Sequence, residues 1–280
     1  AMLKSGGAYY AWESSDELNA MREDAQGTVQ GFRYRRQEYS DEQLAQYRDE
    51  GRTPVVRCSA SPGDIVFVDE VLGEITIPAS DLDDFIILKG DGYPTYHMAV
   101  VVDDHHMGVT HVLRAQEHLK NTARHLRIYD LLGWEPPKHG HMPLIFSMEG
   151  GKMSKRDKAK VARAAARANG HNPESLALLT GLPEDLLVRF MKKKDHGIDT
   201  AVAIADKLGV ELPEIDVRDF RESGYLPEAL VNFLSLLGWS PGGDLEIMEW
   251  QETVDAFSLD RIVKTAAKFD RDKLRWLNGV

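Results

Sequence analysis

A short run of basic residues follows a pair of glycines near the middle of the chain. Lys152, Lys155 and Arg156 lie within five residues, directly after Gly150 and Gly151. Lysine is a compact positive charge and arginine a planar donor, so both bind phosphate oxygens, and glycine lets the backbone move to meet an anion. The pattern is typical of a loop that grips a polyphosphate. A solvated basic turn has the same composition, so the motif alone leaves both interpretations open.

A second candidate is Arg114, which follows the strand-like residues 109–113. The carboxyl ends of parallel strands face the ligand crevice of an open α/β sheet. A guanidinium at that end suits a carboxylate ligand, because its parallel N–H groups bind both oxygens. The alternative is a structural ion pair with Glu117 or Asp104. Asp103 and Asp104 together can also be read as a metal-binding or acid–base pair.

Metal-binding patterns are weak in this sequence. Cys58 is the only cysteine, so the chain has no intramolecular disulfide and no cysteine-rich zinc site. Several of the ten histidines lie close together, but their spacing matches no established ligand motif. We therefore expect no protein-bound zinc or other transition metal. The histidines concerned are His105, His106, His111, His118, His139 and His141.

Mixed strands and helices must position the candidate residues. The pattern predicts strands at residues 53–58, 65–68, 85–88, 109–113 and 143–146, and a helix or strand at 96–102. It predicts helices at residues 16–23, 40–47, 117–132, 161–168, 183–194, 226–239, 249–257 and 259–268. A strand ending at Arg114, the helix at 117–132 and the strand at 143–146 form a βαβ-like unit of a nucleotide-binding sheet.

The chain is acidic overall but carries one strongly basic segment. Its formal net charge is −11, which argues against a protein that simply coats nucleic acid. Residues 152–194, however, contain eleven Lys and Arg against four Asp and Glu. An RNA partner is therefore expected to bind this segment. The residues expected to contact it are Arg163, Arg167, Lys192, Lys193 and Lys194.

Several short motifs follow one another in a fixed order from residue 84 onward. They lie at residues 84–88, 91–99, 101–104, 110–114, 129, 132–137, 141–145, 224–230, 237–240, 269–270, 273–274 and 276–279. Between them, Lys152-Met153-Ser154-Lys155-Arg156 has the form of the KMSKR signature. Together these motifs resemble those of glutamyl-tRNA synthetase, a class I aminoacyl-tRNA synthetase.

The resemblance implies an α/β fold that is the second half of a class I synthetase Rossmann-type catalytic fold. An α/β acceptor-binding insert is expected before it and an α-helical stem-contact domain after it. The expected boundaries are 1–90 for part of the insert, 91–151 for the half-fold, 152–215 for the KMSKR loop with a family-atypical basic helical insert, and 216–280 for the stem-contact domain. The family's HIGH signature and anticodon-binding domain are not found, so we expect an internal fragment that is inactive alone.

The resemblance also assigns residues to the amino-acid pocket. Arg114 would hold the glutamate side chain, and Tyr96 would line the pocket. Asp104, or its neighbour Asp103, would shape the pocket, orient the substrate amine or pair with Arg114. Because an arginine stands at residue 114, a glutaminyl enzyme is disfavoured.

Other residues are expected to bind ATP. By resemblance, Lys155 contacts the nucleotide and stabilises the leaving pyrophosphate, with help from Lys152 and Arg156. The magnesium that accompanies ATP is implied by the reaction rather than by a set of ligands in this sequence. Further nucleotide contacts are expected from Glu117, His118, Leu144 and Ile145.

The implied activity is ATP-dependent ligation of L-glutamate to tRNA(Glu) through a glutamyl-adenylate. The expected partners are tRNA(Glu), ATP and L-glutamate, without DNA or a membrane, for a monomer in the cytoplasm. Two alternatives remain. One is a paralogue that glutamylates a modified tRNA base, although such proteins usually lack the motifs at 224–230 and 269–279. The other is a non-catalytic tRNA-binding protein that uses residues 152–194.

Overall fold

The computed structural model of the chain describes residues 1–25, 31–148, 150–151, 154 and 156–280. They form two compact units, the first comprising residues 1–143 and 262–264 and the second residues 144–261 and 265–280. Each unit has apolar cores of its own. Within the described ranges, none of the helices combines the length and apolar character needed to cross a bilayer.

The first unit is a mixed α/β structure. Its strands are β1 (Ala8–Ala11), β2 (Val55–Cys58), β3 (Ile65–Asp69), β4 (Gly73–Ile77), β5 (Phe85–Leu88), β6 (His111–Ala115) and β7 (Lys138–Met142). Its helices are α1 (Ser15–Asp24), α2 (Asp41–Asp49), α3 (Tyr96–His106) and α4 (Leu119–Leu132). The predicted strand at 85–88 is confirmed, as are helices beginning near residues 16 and 40, whereas β1 and β4 were not predicted.

Capping residues explain where the first two helices begin. The Ser14 side chain accepts the N–H of Glu17, and the Glu17 side chain accepts the N–H of Ser14. Ser40 and Gln43 form the same reciprocal capping box at α2. Each box satisfies N–H groups that a helix leaves without intrahelical partners.

Two sheets organise the first unit. The order β1–β2–β5 forms an antiparallel sheet, and β4–β3–β7–β6 forms a second sheet in which β7 is parallel to both β3 and β6. Helix α4 connects β6 to β7 and ends at Gly133, whose φ of 70° is favoured by glycine. Arg114 pairs in register with His141, and Asp69 pairs with His139. The carboxyl ends of β3, β7 and β6 therefore lie along one edge.

The strand predicted at residues 143–146 was misplaced. The parallel partner of β6 is β7, and residues 145–147 form a strand of the second unit. β7 does not look like a buried strand in the sequence, because it contains two polar histidines. In the structure His139 is 4% and His141 0% exposed. The hydrogen bonds that make this burial favourable join residues distant in sequence, so periodicity does not reveal them.

The second unit is mainly helical. Its elements are β8 (Ile145–Ser147), α5 (Arg156–Ala168), α6 (Pro173–Thr180), α7 (Glu184–Met191), α8 (Ile198–Leu208), α9 (Val217–Glu222), α10 (Pro227–Ser235), α11 (Trp250–Ala256), β9 (Ala267–Phe269) and α12 (Arg271–Asn278). Three fully buried alanines on α5, Ala159, Ala162 and Ala166, pack with Phe190 and Ile204 in one core. Small side chains on this face allow neighbouring helices to approach closely.

The helix predicted at residues 259–268 is wrong. Residues Leu259–Arg261 form a single 3-10 turn, and residues 267–269 form β9, which pairs in parallel with β8. The pairing places Phe269, which is 7% exposed, in a core with Phe220, Phe233 and Leu274. A distant strand thus overrides the local helical pattern. The helices predicted at 161–168, 183–194, 226–239 and 249–257 are confirmed, with shifted ends.

Candidate active site

Arg114 lies where the carboxyl end of β6 meets helices α3 and α4. Its Nε–H donates to Nε2 of His141 at 3.3 Å, and one terminal nitrogen donates to the hydroxyl of Tyr96 at 3.4 Å. The other terminal nitrogen donates to Oγ1 of Thr122 at 2.6 Å and to the carbonyl of His118 at 3.5 Å. In the described part of the chain these partners are all neutral groups. The guanidinium is thus held firmly without a hydrogen-bonded carboxylate.

The charges of Asp104 and Arg114 interact, but the two side chains share no hydrogen bond. Burial raises the pKa of Asp104, and the nearby positive charge of Arg114 only partly offsets this effect. Burial in turn lowers the pKa of Arg114, opposed by Tyr96 and Asp104. The hydrogen bonds of Arg114 go to neither Asp104 nor Glu117, which does not support the interpretation of Arg114 as a structural ion pair.

Three residues behind Arg114 were not predicted as part of the site. His141 and Thr122 are both 0% exposed and Asp69 is 2% exposed. Oδ2 of Asp69 lies 2.5 Å from Nδ1 of His141, and Nε2 of His141 lies 2.9 Å from Oγ1 of Thr122. The signal available in the sequence was the motif at 141–145, which begins with His141; nothing local linked it to Asp69, 72 positions away.

Tyr96 opens helix α3 and presents its ring at the surface. The side chain is 52% exposed, and its hydroxyl accepts the hydrogen bond from Arg114. The ring centroid lies 5.4 Å from that of His97 and 5.6 Å from that of His125. The structure therefore brings Tyr96, Arg114 and Asp104, the three predicted substrate-binding residues, into one cluster.

Half-buried His97 and buried His125 and His139 lie near this cluster. Nδ1 of His97 lies 3.2 Å from Nε2 of His125. Burial is the main cause that lowers the pKa of His97 to about 4, of His125 to about 2 and of His139 to about 4. These rings are neutral at pH 7, so the positive charge of the cluster is carried by Arg114.

We predict that the first unit loses stability in mild acid. The folded-state pKa values of His97, His125 and His139 lie below the ordinary value of about 6.5, so the unfolded chain binds more protons as the pH falls. The stabilisation is complete above about pH 6.5 and declines toward pH 4. Each imidazole contributes a slope of up to about 1.4 kcal/mol per pH unit. Urea denaturation at several pH values measures the slope, which His125→Gln should reduce; an unchanged slope contradicts the account.

Glu117 and His118 lie in the 3-10 turn Gln116–His118 between β6 and α4. Nε2 of His118 is 4.0 Å from the Glu117 carboxylate, and Nδ1 is 3.0 Å from Nδ2 of Asn121. Because the His118 carbonyl also accepts from Arg114, the turn connects these two predicted nucleotide-binding residues directly to the arginine.

The other predicted nucleotide-binding residues belong to the second unit. Ile145 lies in β8 with 37% of its surface exposed, and the carbonyl of Leu144 accepts the N–H of Ala267 at 3.2 Å. An exposed apolar side chain on a strand is suited to pack against a flat base. The Leu144 carbonyl already accepts this hydrogen bond, so it is less available to accept one from a nucleotide base.

The KMSKR segment leads into helix α5. The hydroxyl of Ser154 accepts the N–H of Arg156 at 3.1 Å, and Oδ2 of Asp157 accepts the N–H of Ser154 at 2.8 Å. Gly150, with a φ of 88°, provides the turn after β8 that a side chain would strain. Arg156 is exposed at the start of the helix. Lys152 and Lys155 lie outside the described residues.

A basic groove lies on the helices that follow. Its volume is about 390 Å³. Lys193 stands at the end of α7 with a φ of 60°, a left-handed conformation that glycine favours and that strains a lysine. The groove is lined by Arg156, Lys160, Arg163, Ala164, Arg167, Lys193 and His196.

Arg163 occupies the floor of this basic groove rather than its surface. The residue is 3% exposed, its guanidinium lies 4.9 Å from the Phe190 ring centroid, and it donates to the carbonyls of Phe190 and Asp195, both at 3.3 Å. Its N–H groups are bonded to these two carbonyls, so Arg163 adds positive charge to the groove but does not present a donor at its surface. Arg167 and the three lysines at 192–194 are exposed.

Metal ligands are not grouped in the described ranges. There, no cluster of three or more His, Cys, Asp or Glu side chains has a geometry that could hold a metal ion. Asp103 and Asp104 therefore have no described third ligand that would support the metal-pair interpretation.

Comparison with known proteins places the chain among tRNA synthetases. The profile described as "tRNA synthetases class I (E and Q), catalytic domain" matches residues 1–195 and 212–276. The glutamate–tRNA ligase of Desulforamulus reducens is 37% identical over 281 residues, which cover 99% of this chain and 47% of that protein. The glutamate–tRNA ligase of Heliobacterium modesticaldum is 38% identical, with 100% and 46% covered. The chain thus spans about half the length of the curated relatives it matches.

Solved structures agree with this comparison. The glutamate–tRNA synthetase of Elizabethkingia anophelis matches with a TM-score of 0.71 and 27% identity, covering 99% of this chain and 50% of that one. The glutamate–tRNA ligase of Elizabethkingia meningosepticum, solved in complex with its amino acid, has the same TM-score and 28% identity. The ranges matched by the family profile include residues 158–195 and leave out residues 196–211 and 277–280.

Proposed function

Because the chain belongs to the class I tRNA synthetase family for glutamate and glutamine, we propose that it forms the amino-acid-binding and tRNA-contacting part of a glutamate–tRNA ligase. The reaction joins L-glutamate to tRNA(Glu) at the expense of ATP. The observation that carries the proposal is the arrangement of Arg114. A partly buried guanidinium, bound only by neutral groups in the described part of the chain, is suited to an anionic ligand.

Arg114 also favours glutamate over glutamine. A carboxylate accepts hydrogen bonds from the N–H groups of a guanidinium and compensates its positive charge. A side-chain amide has one oxygen for this purpose and brings an NH₂ group that would face the positive charge. Asp104 and Tyr96, whose hydroxyl accepts from Arg114, would limit the positions in which a substrate side chain can lie.

The proposed reaction has two steps. An α-carboxylate oxygen of glutamate attacks the α-phosphorus of ATP, and pyrophosphate leaves as the glutamyl-adenylate forms. A terminal hydroxyl of the tRNA then attacks the acyl carbon, and AMP leaves. Lys155, with Lys152 and Arg156, stabilises the negative charge that develops on pyrophosphate. Magnesium would accompany ATP, because the reaction uses the nucleotide with its metal ion.

Contacts with the nucleotide are proposed for Glu117, His118, Leu144 and Ile145. Glu117 and His118 are placed by the 3-10 turn beside Arg114, and they would lie near the nucleotide. Ile145 offers an exposed apolar surface for adenine, and Leu144 precedes it in the chain. ATP–pyrophosphate exchange with the complete gene product tests the first step. We expect exchange that requires glutamate, whereas exchange that ignores the amino acid would refute the proposal.

The basic groove is proposed as a contact with the tRNA backbone. Exposed Arg167 and Lys193 line a concave surface to which Arg163 adds positive charge, and Lys192 and Lys194 are exposed on either side of Lys193 in the sequence. Phosphate groups bind such surfaces with release of counterions, so the affinity depends on salt. The strained backbone of Lys193 supports a functional position for its charge.

We predict that Arg167→Ala combined with Lys193→Ala weakens tRNA binding about tenfold at 0.1 M salt. Each lost phosphate contact should also lower the slope of log Kd against log salt by about one. Filter binding or fluorescence anisotropy at four salt concentrations measures both quantities. Lys207→Ala, on the exposed surface of α8 outside the groove, is the control and should change neither. Unchanged affinity and slope in the double variant would exclude the groove as a tRNA contact.

A further inference from the structure

A chain of hydrogen bonds crosses three neighbouring strands beneath Arg114. It begins at Asp69, the last residue of β3, passes through His141 in β7 and reaches Arg114 in β6. Thr122, in the first turn of α4, closes the chain from the helical side. Asp69, His141 and Thr122 are at most 2% exposed. Buried polar groups of this kind are costly unless each is satisfied, so their arrangement is well determined.

Asp69 is the fixed end of this chain. Its Oδ1 accepts the backbone N–H groups of Val71 at 3.0 Å, Leu72 at 2.9 Å and His141 at 3.0 Å. Burial alone would raise the pKa of Asp69, but these N–H groups and the His141 side chain bring it below its ordinary value. The carboxylate is therefore ionised and can only accept hydrogen bonds. The other oxygen, Oδ2, is left for the His141 ring.

Asp69 determines which nitrogen of His141 carries the proton. An acceptor 2.5 Å from Nδ1 requires a hydrogen on that nitrogen. Burial lowers the pKa of His141 despite the opposing effect of Asp69, so the ring is neutral and Nε2 has a lone pair that can accept a hydrogen bond; Oγ1 of Thr122 also lies 2.9 Å from Nε2. That lone pair faces the Nε–H of Arg114 at 3.3 Å. A protonated ring would instead present a second donor and repel the guanidinium.

Thr122 fixes the other end of the guanidinium. Its hydroxyl oxygen accepts from a terminal nitrogen of Arg114 at 2.6 Å, while its own hydrogen can point to the His118 carbonyl at 3.4 Å or to His141. Two anchors, one on Nε and one on a terminal nitrogen, define the plane of the fork. The remaining terminal nitrogen donates to the hydroxyl of Tyr96, a residue that is 52% exposed.

We infer that Asp69, His141 and Thr122 are positioning residues that hold the Arg114 guanidinium in the orientation needed to bind a carboxylate side chain. The inference rests on the proposed function, because it assumes that Arg114 binds the substrate. A free arginine side chain has many rotamers, and holding it in one orientation before the substrate arrives reduces the entropy lost on binding. None of the three residues touches the substrate in this account.

Thr122→Val and Thr122→Ser form the matched pair that tests the inference. Valine keeps the shape of threonine and removes the hydroxyl, whereas serine keeps the hydroxyl. In the complete gene product, we expect Thr122→Val to raise the KM for glutamate about 10-fold to 100-fold, the loss expected for one hydrogen bond to a charged group. The kcat should change less than about threefold, and serine should restore most of the affinity.

A second pair tests the histidine. His141→Asn keeps a donor toward Asp69 and removes the acceptor that faces Arg114, whereas His141→Gln places a side-chain oxygen near the position of Nε2. Asparagine should therefore raise the KM for glutamate more than glutamine does. The reverse order, or equal values, would overturn the assignment of Nε2 as the acceptor for Arg114.

A double-mutant cycle separates this inference from the proposed function. If the effect of Thr122→Val acts through Arg114, it should disappear when Arg114 is already alanine. If Arg114→Ala raises the KM for glutamate but Thr122→Val leaves it unchanged in a folded protein, the positioning inference is wrong and the proposed function stands. If Arg114→Ala itself leaves the KM unchanged, the proposed function is wrong.

Discussion

Arg114→Ala is expected to reduce kcat/KM for glutamate by about 10²–10³ in the complete gene product. The substitution removes the donor that would pair with the substrate carboxylate, and truncation of one partner of a desolvated charge pair costs about 3–4 kcal/mol. The discrimination against glutamine should fall as well, because the positive charge that favours a carboxylate is lost. Steady-state aminoacylation kinetics with each amino acid measure both effects.

Lys120→Ala is the matched control for this experiment. Lys120 is also a cation of the first unit, but it is exposed and pairs with Asp81 at 2.9 Å on the surface of α4. Surface pairs of this kind contribute little to stability. We expect the control to keep the kinetic constants of the parent. An Arg114→Ala protein with unchanged selectivity between glutamate and glutamine would show that the carboxylate binds elsewhere.

Lys155→Ala is expected to slow ATP–pyrophosphate exchange by about 10²–10³ while leaving the KM for glutamate nearly unchanged. The lysine is proposed to act on charge that develops at pyrophosphate in the transition state, so its loss should lower kcat more than it alters substrate binding. Lys207→Ala, an exposed lysine of α8, is the control and should exchange at the parental rate. If Lys155→Ala retained full kcat, the catalytic assignment of the KMSKR loop would be wrong.

Residue patterns and motifs in the sequence were sufficient to predict part of the site. The strand at 85–88 and the position of Arg114 near the carboxyl end of a parallel strand follow from residue patterns and motifs. The resemblance named Tyr96 and Asp104, and the structure brings both to Arg114. These features depend on short stretches of chain or on motifs that belong to a family, and both are visible in one sequence.

Other features depend on pairings between distant residues. β7 is buried although it contains two histidines, because Asp69 and Thr122 satisfy His141. β9 forms because β8 lies beside it, which converts an apparently helical stretch into a strand. Arg163 turns inward, where it donates to the carbonyl of Phe190 in α7 and to that of Asp195. None of these partners can be recognised from local composition.

Glutamate–tRNA ligase differs from its two alternatives in where glutamate is transferred. A paralogue that modifies a tRNA base would transfer glutamate to an internal nucleotide, and a non-catalytic binder would transfer none. The curated relatives are glutamate–tRNA ligases that align over at least 99% of this chain, including the motifs at 224–230 and 269–279. This extent of similarity supports the ligase.

The most direct test is to incubate the complete gene product with ATP, labelled glutamate and tRNA(Glu), digest the tRNA with nuclease and locate the label. We predict that glutamate is recovered as an ester on the 3′-terminal adenosine, that labelled glutamine is not transferred to a comparable extent, and that Arg114→Ala removes the preference. Recovery of the label on an internal base, or tRNA binding without any transfer of glutamate, would contradict the account.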